Sequence, residues 1–273
     1  MIVRTALAGS LSTFLAILLI APTANSGETN AAKPIKALLI TGGGYHDYAH
    51  QKSIMTEGVS ARANVEWTIV HDTSTEDSHK IPLFEDPNWA DGYDVVVHNE
   101  CFANIDDAAY IDKVVAAHKN GTPAVVVHCA MHTFRALKSD EWHKFLGVST
   151  FRHGKQHPLE VKNLKPENPI LKGFPETWTT GNEELYWIEK VWPETTVLAQ
   201  AKAEENGKDN PVIWSHPFGK GRVFGTTLAH NNRTMSDPVY LDMFTRGLLW
   251  AADKLGEDGK PKPGYEPSPG KAE

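Results

Sequence analysis

The chain predicts an α/β protein with a mostly parallel sheet and an antiparallel extension on one side. Three observations lead there. The first half repeats a short apolar run followed by a stretch with helical spacing, and runs of Val, Leu and Ile without polar alternation are what strands covered on both faces look like. The second half holds strand-like pieces joined by loops rather than helices. A final amphipathic segment closes the chain as a helix.

In order, Ala37–Thr41 reads as a buried strand, followed by Gly42-Gly43-Gly44 and a helix from about Ala49 to Ala61. Val65–Val70, Asp94–His98 and Ala124–His128 read as the second, third and fourth strands, with a helix near Asp106–Lys119 between the last two. Pro158–Val161, Leu185–Ile188, Thr196–Ala201, Pro211–Ser215 and Arg222–Thr227 are the strand-like pieces of the second half. Val239–Lys254 ends the pattern, with Leu241, Phe244, Leu248, Leu249 and Ala252 at helical spacing.

The ends are read differently. Arg4, the apolar run Leu7–Ala21, Pro22 and the small residues Ala24-Asn25-Ser26 make residues 1–26 a secretory signal segment, with an uncleaved membrane anchor as the rival reading. Cleavage after Ser26 predicts a periplasmic or secreted protein with no stable membrane insertion. Residues 27–34 form a linker, and 35–255 a single domain. Residues 256–273, with four Pro and four Gly and no apolar periodicity, are expected to be a disordered tail with no core to join.

A chain that is 41% apolar and 22% charged is neither disordered nor fibrous. With 27 Lys and Arg against 34 Asp and Glu, it lacks the basic surface that a phosphate backbone requires, so nucleic acid is excluded as the expected partner. Self-association into a homo-oligomer is left open.

Thirteen histidines stand out, since imidazole is both a near-neutral acid and base and a common metal ligand. In open α/β sheets the ligand site lies beyond the carboxyl ends of the parallel strands. His46, His98, His128 and His230 each follow or end a strand, so one rim of the sheet is expected to carry them. His46/His50, His128/His132 and His153/His157 also stand four apart, but no third ligand completes a zinc-protease motif, and spacing alone leaves His50, His132 and His157 unassigned. Zn²⁺ suits such a rim, although the sequence does not count its ligands.

The glycine run lacks the third spaced glycine of a dinucleotide fingerprint and the Gly-Lys-Ser/Thr of a phosphate loop, so it reads as a turn with close backbone approach. Cys129 sits where a nucleophile elbow would place a thiol, yet Val127 and Met131 occupy the flanking positions that need small residues. A buried thiol and a disulfide with Cys101 are the other readings. In Gly181-Asn182-Glu183-Glu184-Leu185-Tyr186-Trp187, the adjacent carboxylates point to opposite sides of a strand, so one can face inward as a general base or ligand while the other is solvated. Trp187 and Trp214 offer flat faces for a sugar ring or belong to the core.

Leu38–His46, the His128 strand end, Phe151-Arg152-His153, Glu183–Tyr186, Pro211–Trp214, Gly221–Phe224, Leu228-Ala229-His230 and Leu249-Trp250-Ala251 occur in an order that resembles the trehalose-utilisation (ThuA-like) family across about Ile35–Leu255. The resemblance implies a flavodoxin-like, class I glutamine amidotransferase-like three-layer sandwich and a link to disaccharides and their 3-keto derivatives. The family usually has Asp-Glu-Leu-Tyr where this chain has Glu183-Glu184-Leu185-Tyr186, alanine at Cys129 and Gly-His at Ala229-His230. Alanine at that position weakens a thiol nucleophile further. The expectation is an exported carbohydrate enzyme in which His128, His230 and Glu184 transfer protons or hold a divalent metal, while His46, His153 and Tyr186 line the pocket. Isomerisation or elimination of a keto-sugar suits these groups better than direct hydrolysis. A non-catalytic sugar-binding or interaction module is the alternative, and a thiol amidohydrolase acting through Cys129 is a third.

Overall fold

The computed structural model describes residues 33–267, so the expected signal segment lies outside the described residues. Nine strands are present among them: β1 (Ile35–Gly43), β2 (Val65–Asp72), β3 (Val95–Cys101), β4 (Ala124–Val127), β5 (Val148–Asn163), β6 (Thr177–Val191), β7 (Thr196–Lys202), β8 (Asp209–Phe218) and β9 (Gly221–Thr226). Helices α1 (Tyr48–Ser60), α2 (Ala108–Asn120), α3 (Glu141–Leu146), α4 (Asn232–Met235) and α5 (Pro238–Ala251) connect or flank them. The strands form one sheet in the order β2-β1-β3-β4-β9-β8-β7-β5-β6. From β2 to β9 every neighbouring pair is parallel, and from β9 to β6 every pair is antiparallel, as expected for a mixed sheet.

The unbroken apolar runs have a direct cause. Successive side chains on a strand point to opposite faces, and each face of this sheet carries a core. Ala37, Leu39, Val95, Val97, Val125 and Val127 join Met55, Val59, Phe244 and Leu248 of α1 and α5 in one cluster. Leu38, Ile40, Val96 and Val126 join Ile111, Val114 and Phe145 of α2 and α3 in the other. The result is a sheet between two helical layers. Among the described residues, no helix is long and apolar enough to cross a membrane.

Acidic caps start the long helices. Asp107 accepts from the Ala109 and Tyr110 amides, and Asp237 accepts from the Val239 amide with Pro238 in the first turn of α5. Each bond occupies a donor that the first helical turn leaves without an internal partner.

The glycine run is not a free turn. β1 continues through Gly43, with φ of 144° at Gly42 and 116° at Gly43. A Cβ on Gly42 would strike the Asp72 carbonyl, and one on Gly43 would lie 2.5 Å from the Cys101 carbonyl oxygen. Neighbouring strands therefore require glycine here.

β5 and β6 run for 16 and 15 residues, far longer than the short pieces expected, because bulges between Thr150 and Gln156 break the alternation that would reveal them. The tail also differs from expectation. Its described part folds back: Leu255 bridges Pro261, the Lys262 amide donates to the Lys254 carbonyl, and the Asn64 amide donates to the Tyr265 carbonyl. Tyr265 packs against the α1/α5 core, so a single aromatic anchors a segment otherwise poor in apolar residues. Residues 268–273 lie outside the described residues.

Candidate active site

Four chain segments meet at the carboxyl rim of the parallel strands. His46 follows β1, His128 opens a 3₁₀ turn directly after β4, Glu184 lies on β6 and His230 follows β9. One ligand atom from each of these four residues lies within 4.8 Å of all the others. The sequence points to these side chains from strand ends separated by most of the chain, and the topology brings them to one place.

Local backbone geometry sets the two innermost imidazoles. His128 has φ of 43° and Ala229 has φ of 76°, left-handed values that cost about 1 kcal/mol or more for residues with a Cβ. Both turns are held by hydrogen bonds. His128 Nδ1 lies 2.6 Å from the Thr227 carbonyl oxygen. A carbonyl only accepts, so Nδ1 carries the donating proton and Nε2 is the nitrogen that faces the site. Glu183, fully buried, accepts from the His230 amide at 3.0 Å. Gln51 of α1 donates to the Ala229 and His230 carbonyls and accepts from Asn99. Neither Glu183 nor Gln51 reaches the reactive centre; they fix the turn that carries His230.

Glu184 Oε2 is the focus. It lies 3.3 Å from His230 Nδ1, 3.6 Å from His128 Nε2 and 3.6 Å from His153 Nε2. These separations exceed a good hydrogen bond, and His128 Nε2 and His230 Nδ1 are buried without a hydrogen-bond partner. Burial raises the Glu184 carboxyl, but interaction with His128 and His230 outweighs it and holds the group well below the usual carboxylate range. Burial lowers His230, and Glu184 more than reverses this, so its imidazole is easier to protonate than usual. Burial lowers His46 to about 3, and the neighbouring His128 and His230 imidazoles act in the same direction. Burial pushes the Glu183 carboxyl up. Adjacent carboxylates thus lie in opposite environments, although the outer expectation is corrected: Glu183 is not solvated but sealed under the His230 turn.

A cavity of about 180 Å³ opens onto this cluster, walled by His46, His153, Tyr186, Glu184 and His230. Tyr186 stacks on His132 with ring centres 4.1 Å apart and planes at 9°, and His153 lies along the same wall at 5.6 Å from Tyr186. Tyr45, half exposed at the mouth, donates to Asp77. A second cleft of about 450 Å³ adjoins the cavity and shares Gln156 and His230 with it.

Several residues depart from expectation. His98 is not on the rim, because β3 runs on to Cys101 and leaves His98 inside the sheet. There His98 Nδ1 lies 2.7 Å from Glu100 and His98 Nε2 lies 3.0 Å from His118 Nε2, under α2. Trp214 is a core residue donating to the Leu146 carbonyl, and Trp187 does not line the cavity. Cys129 is bonded to Cys101, with Cα atoms 5.4 Å apart, which removes the free thiol that an amidohydrolase nucleophile needs. His132, left unassigned by spacing, does line the cavity, and its position four residues after His128 is the signal for it. Gln156 and Arg135, also at the cavity, carry no such signal.

A model of the ThuA family, described as trehalose utilisation, matches residues 36–251. Among solved structures, a ThuA-like protein from Parabacteroides merdae is similar at 21% identity and a TM-score of 0.65, covering 86% of this chain and 97% of that one. A ThuA-like protein from Bacteroides uniformis is similar at 17% identity and a TM-score of 0.63, covering 86% and 98%. A GMP synthase component from Thermoplasma acidophilum has a TM-score of 0.52 at 14% identity, covering 81% and 96%. At these identities the likeness concerns the fold, which is that of the class I glutamine amidotransferases. No curated protein matches the chain. With most of its length matched by the family model, the chain belongs to the ThuA (trehalose utilisation) family.

Proposed function

We propose that the protein is an exported enzyme of carbohydrate catabolism that acts on a disaccharide or its 3-keto derivative by acid–base chemistry. The observation that carries this reading is the convergence of three imidazoles and one carboxylate, from four separate segments, at the base of an open cavity. A structural cluster has no need to face a cavity with two imidazole nitrogen atoms that no protein group satisfies.

The roles follow from the charge states. His230, made easier to protonate by Glu184, is the proton donor to a carbonyl oxygen. His128, whose Nδ1–H is committed to the Thr227 carbonyl, presents Nε2 as the acceptor for the proton on the carbon next to that carbonyl. Glu184 is held ionised and serves as counter-ion to the imidazoles rather than as the base. A keto-sugar would thereby lose a carbon-bound proton to His128 while its oxygen gains one from His230, and the enediol formed can reprotonate or expel a neighbouring substituent. His46, His153 and Tyr186 line the ring site, and the adjoining cleft offers room for a second sugar.

Export rests on the expected signal segment. Incubating the purified protein with trehalose, 3-keto-trehalose and related glycosides, and following products by mass spectrometry, tests the reading. Turnover that disappears in Glu184→Gln supports it. Saturable binding of these sugars with no change in them would replace it by the sugar-binding module, and neither binding nor turnover would remove carbohydrate altogether.

A further inference from the structure

We infer that His46, His128, Glu184 and His230 form a binding site for one divalent transition-metal ion of the zinc class. The inference deepens the proposed function and relies on it only for the substrate; the donor set stands on its own geometry.

Three features of the site argue for an ion. The first is spacing. Tetrahedral zinc with bonds of about 2.0–2.2 Å keeps its ligand atoms roughly 3.3–3.6 Å apart. Glu184 Oε2 lies 3.3 Å from His230 Nδ1 and 3.6 Å from His128 Nε2, too far for good hydrogen bonds but suited to ligands around a common centre. The widest separation in the group, 4.8 Å, closes around an ion by about an ångström of side-chain rotation.

The second is donor orientation. His128 Nε2 and His230 Nδ1 are buried without partners, and both face the same carboxylate oxygen. His128 Nδ1 already donates to the Thr227 carbonyl, the outer hydrogen bond that metal-bound histidines commonly make and that fixes the ligating nitrogen. Glu183 and Gln51 hold the His230 backbone from behind, so this ligand is supported too.

The third is donor chemistry. Three imidazoles and one carboxylate match Zn²⁺ and its first-row neighbours, whereas Mg²⁺ and Ca²⁺ take oxygen ligands. The nearby sulfur atoms are bonded to each other and offer no thiolate. His46, Glu184 and His230 also line the cavity, so a bound ion would be open to a ligand from solvent. A bound ion would supply Lewis-acid polarisation to a sugar carbonyl, and His153, 3.6 Å from Glu184 on the mouth side, would be the remaining imidazole placed to accept a proton.

Tag-free protein, stripped with chelator and dialysed, is titrated with Zn²⁺ against a chromophoric competitor, with Mg²⁺ in a parallel titration. One equivalent of Zn²⁺ bound with submicromolar affinity, and no competition by millimolar Mg²⁺, is expected. His230→Ala and Glu184→Gln should each weaken binding by ~100-fold or more, beyond the ~10–100-fold typical of outer-shell changes. His50→Ala, in an exposed histidine outside the cluster, should leave affinity unchanged. Circular dichroism of each variant separates lost ligation from lost folding, and Co²⁺ absorption of the native protein reports four-coordinate nitrogen and oxygen ligation without any variant. Absence of stoichiometric binding, or equal binding by the native chain and both site variants when folded, overturns the metal site. Because no sugar enters these measurements, Zn²⁺ binding without sugar turnover rejects the proposed substrate alone, and turnover by metal-free protein unaffected by Zn²⁺ rejects the metal alone.

Discussion

His128 Nδ1 and the Thr227 carbonyl oxygen are 2.6 Å apart, and this contact decides which nitrogen of His128 faces the site. It also anchors a residue with φ of 43°. Asparagine tolerates left-handed backbone better than other non-glycine residues and presents an amide donor near the Nδ1 position. His128→Asn should keep the Thr227 anchor while losing the nitrogen that faces Glu184. The expected outcome is a ~10²- to 10⁴-fold loss of turnover with a smaller fall in unfolding free energy than His128→Ala shows. Parallel turnover assays and urea unfolding check this; equal destabilisation by the two variants would mean that the Thr227 bond contributes little.

Glu183 and Glu184 are neighbours with opposite duties. Glu183→Ala leaves the His230 amide without its buried acceptor, which costs about 1–3 kcal/mol, and frees the turn that carries His230. Glu184→Gln keeps the size and a carbonyl acceptor of a side chain that holds no backbone turn in place, so the fold should persist while turnover falls. Urea midpoints should drop clearly for Glu183→Ala and little for Glu184→Gln. The reverse order would exchange the structural and chemical roles assigned to the pair.

That pair also shows what can be read from a chain alone. Strand alternation is enough to send Glu183 and Glu184 to different sides, just as the runs at Leu38–Ile40 and Val95–Val97 are enough to indicate strands covered on both faces. Conversely, the bulges in β5 interrupt alternation, so its length and its pairing with β6 stay hidden. His98 falls inside the sheet instead of on the rim because β3 continues three residues past it, which moves the rim to Cys101. His132 stands four residues after His128, but it follows a 3₁₀ turn, so that spacing marks no shared helical face and does not by itself assign the residue. Tyr265 docks through one ring and one carbonyl, which leaves no periodic trace.

Acid should destabilise the protein well above the carboxylate range. Burial first, and then nearby positive charge, lowers His46 to about 3, His118 to about 3 and His132 to about 2. In the unfolded chain these groups titrate near pH ~6.5. Between that value and about pH 3 the unfolded state binds protons that the folded state refuses, so stability falls as pH falls, by up to ~1.4 kcal/mol per pH unit for each group. His230 is raised and has the opposite sign: its contribution is complete below its unfolded value and fades as pH rises through the folded one. Urea unfolding at pH 7, 5.5 and 4.5 should show a steep decline, made shallower in His118→Gln, whose site lies away from the cavity. Stability that stays level over this range would contradict neutral burial of these imidazoles.

The disulfide between Cys101 and Cys129 joins the end of β3 to the turn that begins at His128, closing a loop of 28 residues. Loop closure of that length restricts the unfolded chain by about 3–4 kcal/mol on a chain-entropy estimate. A Cys101→Ala/Cys129→Ala protein should therefore unfold at lower urea by that order of free energy. Turnover should survive to within about tenfold, because His128 retains its bond to Thr227 and neither sulfur has a role in proton transfer. Iodoacetamide should leave the native protein active, as no thiol is free to alkylate. If alkylation stopped turnover, or if the double variant were inactive at full stability, the sulfur atoms would belong to the chemistry after all. Lost stability with retained turnover would instead separate the two tasks at this rim: the disulfide ties β3 to the turn, while the carbonyl of Thr227 aims the imidazole.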